Sequence, residues 1–281
     1  MTITTKTRCG FEVIEIVEEH SNSKAVICPE RGGILIELVL GGEQLLYLNE
    51  ETFADKSKNI RGGNPILFPI SGALTNNEYI IDGETYILEQ HGFARNMAWE
   101  VEATDSNSVT LSLQDTEETF SVYPFEFLLT FTYILEDGTL QIHQQYENHA
   151  ERTMPFYAGF HPYFLGNHRQ LSYEIASQQY LDYADFNTKK LETDINQLEI
   201  NPAKVFLNLS EQKVAFGSGE KKVVLSFSRE FPVVVLWSET PDQYVCVEPW
   251  MAGPDAFTNE DKVIELEAGK VMIATFTIAY E

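Results

Sequence analysis

Helical periodicity, cysteine, positive charge and long apolar runs are all scarce in this chain of 281 residues. Three cysteines, Cys9, Cys28 and Cys246, form neither a CxxC pair nor an even-numbered framework, so a disulfide scaffold is excluded and a reducing cytoplasm is the expected compartment. Lys and Arg number 19 against 43 Asp and Glu, a formal net charge of −24, which repels phosphate backbones and anionic membranes. Nucleic acid and membrane are therefore not expected as partners. The first residues, MTITTKTRCGFEVIEIVEEH, lack a continuous apolar segment, and the longest apolar stretch, Phe231 to Trp237, is far too short to span a bilayer.

Hydrophobic residues make up 43% of the chain and aromatics 12%, enough to fill a large core. Their pattern is alternation at period two. Phe127, Leu129, Phe131, Tyr133 and Leu135 share one face; Asp137-Gly138 follows, then Leu140, Ile142 and Tyr146. Tyr79-Ile80-Ile81, Asp82-Gly83 and Thr85 to Leu88 repeat the arrangement. Asp-Gly supplies the positive φ angles of a tight hairpin turn, so both segments are predicted hairpins. Further strands are expected at Val109 to Leu113, Val223 to Phe227, Val233 to Trp237 and Val271 to Tyr280. The best helical candidate, Asn187 to Leu198, is polar and reads equally as a surface loop. No repeat, low-complexity tract or linker divides the chain. The expectation is an all-β protein: one large antiparallel β-sandwich domain over residues 1–281.

Four segments break the alternation: RGGNPILFPISG (Arg61 to Gly72), QHGFARNMAW (Gln90 to Trp99), GFHPYF (Gly159 to Phe164) and VCVEPW (Val245 to Trp250). Each combines a titratable residue with glycine, proline or aromatics, the composition of loops that form a cleft at the end of a rigid sheet. Of the six histidines, His161 and His91 lie in these segments; His20, His143, His149 and His168 do not and are read as ordinary surface or core residues. Glu248 sits where a strand ends, before Pro249-Trp250. Alone it reads as a buried structural carboxylate as readily as a functional one.

Taken together, and in this order, the segments resemble the galactose-mutarotase-like superfamily, in its aldose 1-epimerase and hexose-6-phosphate mutarotase branches. PERGG at Pro29 to Gly33 and YPF at Tyr123 to Phe125 add weaker marks, and the resemblance covers nearly the whole chain. It implies a supersandwich fold and a mutarotase that interconverts the α and β anomers of an aldohexose or hexose phosphate, with no cofactor and no metal. It implies His161 as general acid, Glu248 as general base and His91 as the residue that holds the sugar ring. Opening a pyranose removes a proton from O1 and delivers one to O5, so one base and one acid suffice, placed to face each other across the sugar.

Arg61 and Arg95 look like phosphate-recognising arginines, since a guanidinium fork matches phosphate oxygens, although either readily finds one of the many carboxylates instead. Phe68, Phe93, Tyr163 and Trp250 are candidates to stack on the apolar face of a hexose, with Phe68 and Trp250 preferred. Asp182 is the nearest match to the family's sugar-binding aspartate, with Asp185 as its neighbouring rival. The classical galactose mutarotase has other residues where this chain carries RGGNPILFP and HGFAR, which favours the phosphosugar branch. Two rival readings stand beside this one: a sugar-binding protein without catalysis, and a glycoside hydrolase, which needs a pair of carboxylates. A monomer or weak dimer is expected.

Overall fold

The computed structural model describes residues 1–259 and 263–281. Alternating sequence becomes antiparallel sheet almost throughout. An N-terminal five-stranded meander runs Thr2–Arg8, Phe11–Glu18, Ser23–Cys28, Ile34–Leu40 and Glu43–Gln44. An eight-stranded sheet has the order Ser172–Ile175, Lys213–Gly217, Val223–Phe227, Val271–Tyr280, Thr139–Asn148, Phe127–Glu136, Ser108–Gln114 and Glu100–Thr104. A second eight-stranded sheet carries the cleft. Its order is Asn187–Lys190, Gln179–Asp182, Lys204–Phe206, Val233–Trp237, Tyr244–Trp250, Gly159–Phe160 and Ile66–Leu67, with Tyr163–Leu165 also paired to Tyr244–Trp250.

Both Asp-Gly hairpins form as the sequence predicts. Glu136 pairs with Thr139 across Asp137 (φ 49°) and Gly138 (φ 69°), and Ile81 pairs with Glu84 across Asp82 (φ 53°) and Gly83 (φ 83°). Two consecutive positive φ angles match the right-handed twist of the flanking strands. The first turn is also held from outside: the buried Glu18 carboxylate accepts hydrogen bonds from the amides of Asp137 (3.0 Å) and Gly138 (2.7 Å). The segment 187–198 is not a helix. It opens with the strand Asn187–Lys190 and ends in the single 3-10 turn Ile195–Gln197, because its polar residues pair along an edge and offer no apolar stripe to bury.

One buried apolar cluster draws on all three large sheets: Ile14 and Ile27 of the meander, Leu111 and Phe131 of the first eight-stranded sheet, and Phe160, Leu236 and Val247 of the second. In the second sheet the alternation has two buried faces. Val234, Leu236, Val245 and Val247 enter this core, while Val233, Val235 and Trp250 form a separate apolar cluster on the opposite face. That opposite face is the floor of the cleft.

Candidate active site

The period-two alternation of Tyr244–Trp250 decides where its carboxylate goes. With Val245 and Val247 committed to the core, Cys246, Glu248 and Trp250 take the other face. Two short strands pair with this one on the same side, at Gly159 with Trp250 and at Tyr163 with Cys246. By that register His161 falls opposite Glu248, in the two-residue interruption between them. Phe160 and Phe164 fill the core, so His161 faces the cleft. Its amide donates to the Pro65 carbonyl (3.1 Å), and its ring stacks on Tyr163 (centroids 4.9 Å apart, planes 13° apart), with Trp237 edge-on at 5.8 Å.

His161 Nε2 lies 3.5 Å from Glu248 Oε2, and both side chains are buried. The two residues expected to act as acid and base are therefore side by side on one wall, a correction to the expectation that they oppose each other across the sugar. O1 and O5 are bonded to the same carbon, so an adjacent pair serves both. Neither His161 Nδ1 nor Glu248 Oε2 has a hydrogen-bond partner. Burial pushes the Glu248 carboxyl well above its ordinary pKa, against the pull of Trp250 and Arg95. Burial also pushes the His161 imidazole well below its own, and the neighbouring His91 and Arg95 push the same way.

His91 arrives from a different loop. It has φ 70°, and the next residue must be glycine: at Gly92 (φ 65°) a Cβ would stand 2.2 Å from the Phe68 carbonyl oxygen. That carbonyl accepts from the amides of Phe93 (3.0 Å) and Ala94 (3.2 Å), pinning the loop. The His91 ring meets His161 edge-on at 5.2 Å and Trp250 at 6.0 Å. Its Nδ1 is hydrogen-bonded to the Ser71 carbonyl. A carbonyl only accepts, so Nδ1 carries the proton and Nε2 keeps a lone pair. Burial, then the nearby Arg95 cation, lower its pKa to about 3, which keeps the ring neutral.

The cleft, about 370 Å³ in volume, is lined by His91, His161, Glu248, Trp250, Arg61 and Arg95 from the sequence reading, and also by Asn59, Gln90, Tyr183, Asn201 and Trp237. Arg61 packs its guanidinium over Trp237 (5.6 Å) and stands 3.4 Å from Glu239. Arg95 donates to the Gln90 carbonyl (3.0 Å), while its buried Nε has no partner. Tyr183 Oη is likewise buried and unpaired. These are donors and acceptors of the kind a polyhydroxylated ligand satisfies.

Two expected sugar contacts lie elsewhere. Phe68 is fully buried, its ring among Phe127 (5.1 Å), Phe156 (5.6 Å) and Tyr123 (5.8 Å). It follows Leu67, which faces the cleft-side cluster, so alternation sends Phe68 into the core. Phe93 packs against that core too, and of the aromatic candidates Trp250 is the one that lines the cleft. Asp182 is buried and taken up by Lys204 Nζ (2.6 Å), Lys189 Nζ (2.8 Å) and the Ala184 amide (3.0 Å); Asp185 is an exposed partner of Lys189. The cleft residue of this hairpin is the intervening Tyr183. Trp237 ends the run VVVLW, and its pairing with Cys246 puts it on the face that carries Glu248, a placement that only the register reveals.

The cysteines are free thiols: Cys9 exposed, Cys28 and Cys246 buried. Two clusters among the described residues have donor atoms close enough for a metal, namely His161 with Cys246 and Glu248, and Glu18 with His20 and Asp137. In the second, Glu18 is already committed to the hairpin amides. His168 binds the Tyr173 hydroxyl and the Leu198 carbonyl, outside the cleft. No helix among the described residues is long and apolar enough to cross a membrane.

The architecture is that of the galactose mutarotase-like structures. The X-ray structure of a galactose mutarotase related enzyme from Lactobacillus acidophilus superposes with a TM-score of 0.76 at 27% identity, over 100% of this chain and 97% of that one. The Slr1438 protein of Synechocystis gives a TM-score of 0.90 at 30% identity, over 100% and 98%. An Escherichia coli protein provisionally named glucose-6-phosphate 1-epimerase is 24% identical over 271 residues, 89% of this chain and 87% of its own. The profile of the aldose 1-epimerase family matches residues 15–279, and the chain belongs to that family. It is accordingly an isomerase of the aldose epimerase class.

Proposed function

We propose that the protein interconverts the α and β anomers of a hexose 6-phosphate, with His161 and Glu248 exchanging the protons. The observation that carries this reading is the contact between an imidazole and a carboxylate, both buried, in a cleft that also presents two arginines. The pair shares one proton. With that proton on His161, the imidazolium donates to O5 while the Glu248 carboxylate takes the O1 proton; the C1–O5 bond breaks and C1=O1 forms. Neutral imidazole and carboxylic acid remain, the charge state that burial favours on each group. The dry wall that makes the ion pair costly thus stabilises the open-chain stage. After rotation about C1–C2, imidazole takes the O5 proton as O5 attacks the other carbonyl face, and Glu248 returns its proton to O1.

His91 Nε2, locked as an acceptor, accepts a hydrogen bond from a sugar hydroxyl without competing for the reacting proton. Phosphate selection is supported by charge. A chain of net −24 repels an anionic substrate, and Arg61 and Arg95 provide cations at the cleft itself. The name of the E. coli relative points the same way. Glu248 is the one carboxylate lining the cleft among the described residues, which disfavours the hydrolase reading.

The test is anomer exchange by NMR saturation transfer. Glu248→Gln should slow exchange of glucose 6-phosphate by roughly 10²–10⁴-fold with the circular dichroism spectrum intact. Full activity in that variant removes the mechanism.

A further inference from the structure

The acid–base chemistry makes no use of Cys246. Yet strand alternation places it two residues from Glu248 on the same face, and donor atoms of Cys246, His161 and Glu248 all lie within 4.8 Å of one another. All three residues are buried, and Glu248 Oε2, the oxygen 3.5 Å from His161 Nε2, has no hydrogen-bond partner. Thiolate, imidazole and carboxylate are the donor set of Zn²⁺ and of cations like it; Mg²⁺ and Ca²⁺ take oxygen ligands instead.

We propose that this triad is an inhibitory site for a thiophilic divalent cation, with Zn²⁺ the best fit, and that metal and sugar exclude each other. Tetrahedral Zn²⁺ with bonds of about 2.0–2.3 Å sets its donors roughly 3.3–3.7 Å apart. The His161–Glu248 separation of 3.5 Å already suits that, and the Cys246 thiol has to close by about 1 Å at most. Coordination releases the thiol proton and the proton shared by the pair, so the bound metal takes both the acid and the base. His161 and Glu248 both line the cleft, so a metal held between them occupies the place of O1 and O5. Metal binding stands on these three side chains alone; its inhibitory effect rests on the mutarotase reading.

The intact, chelator-treated chain is titrated with Co²⁺ and Zn²⁺, with Mg²⁺ as the control that meets phosphate oxygens but no thiolate. Co²⁺ should produce a thiolate-to-metal charge-transfer band that Zn²⁺ displaces and that Cys246→Ala lacks, so that Cys9 and Cys28 are not its source. Zn²⁺ should raise the apparent KM for glucose 6-phosphate at constant kcat, while Mg²⁺ does not. Cys246→Ala, with wild-type exchange in the absence of metal, should need at least about 10-fold more Zn²⁺ for the same effect. If that variant fails to fold, Cys246→Ser serves, since a neutral hydroxyl is a poor Zn²⁺ ligand. A missing band, a band that survives the substitution, or equal Zn²⁺ sensitivity overturns the proposal. Exchange at the buffer rate without metal would instead defeat the mutarotase reading, and the Co²⁺ band would still decide the metal site.

Discussion

Asp182 and Lys204 form a buried ion pair with Nζ 2.6 Å from Oδ1, and this pair anchors the hairpin that brings Tyr183 to the cleft. The neighbouring Lys189 and the Ala184 amide complete the carboxylate's hydrogen bonds. Removing one member of such a pair leaves the other charge buried without compensation, which costs about 3–5 kcal/mol. Asp182→Asn should therefore lower unfolding stability by about 3 kcal/mol in urea melts. A loss below about 1 kcal/mol would mean that the pair is far better solvated than its burial implies.

Tyr183→Phe separates binding from stability. The Tyr183 hydroxyl is buried without a partner, so deleting it removes an unsatisfied polar group, and the thermal midpoint should hold or rise slightly. A sugar hydroxyl that it serves would lose a hydrogen bond, and KM should rise about 10-fold. Unchanged KM would show that the tyrosine only walls the cleft.

Arg95→Ala bears on the phosphate. Its guanidinium carries an unpaired buried Nε in the cleft that holds His161 and Glu248, and Arg61 lines the same cleft. If the two hold phosphate oxygens, the substitution should raise KM for glucose 6-phosphate at least about 10-fold more than for glucose. Equal effects on both sugars would assign Arg95 to the ring hydroxyls instead.

His91 makes acid stability measurable. Its folded-state pKa, about 3, lies below the ordinary histidine value, so it contributes stability that is fully present above pH 6.5 and lost as pH falls toward 3. Between pH 6.5 and 5 that loss is about 2 kcal/mol. His91→Gln should flatten this limb of a denaturation midpoint measured against pH. The same slope in wild type and variant would place the acid sensitivity elsewhere, with His161 the next group to examine.

Local rules gave the strands and both Asp-Gly hairpins, because pleat and turn geometry are written in neighbouring residues. They also singled out His91, His161, Glu248, Arg61 and Arg95, which line one cleft. They failed at Phe68 and Asp182. An aromatic beside a motif glycine looks the same whether its ring meets a sugar or a core, and an aspartate looks the same whether or not two lysines have claimed it. Trp237 and Tyr183 were passed over for the converse reason: each looks like ordinary strand or loop until cross-strand register gives it a face.

What the sequence determined alone is therefore the all-β class, the turn positions, the strongly acidic net charge, and the identity of an imidazole and a carboxylate that line one cleft. Tertiary structure decided that these two touch, that His91 presents Nε2 rather than Nδ1, and that a thiol stands within reach of both. Those facts depend on which strands pair and at what offset, and a shift of one residue in Tyr244–Trp250 would turn Glu248 into the core and Val247 into the cleft.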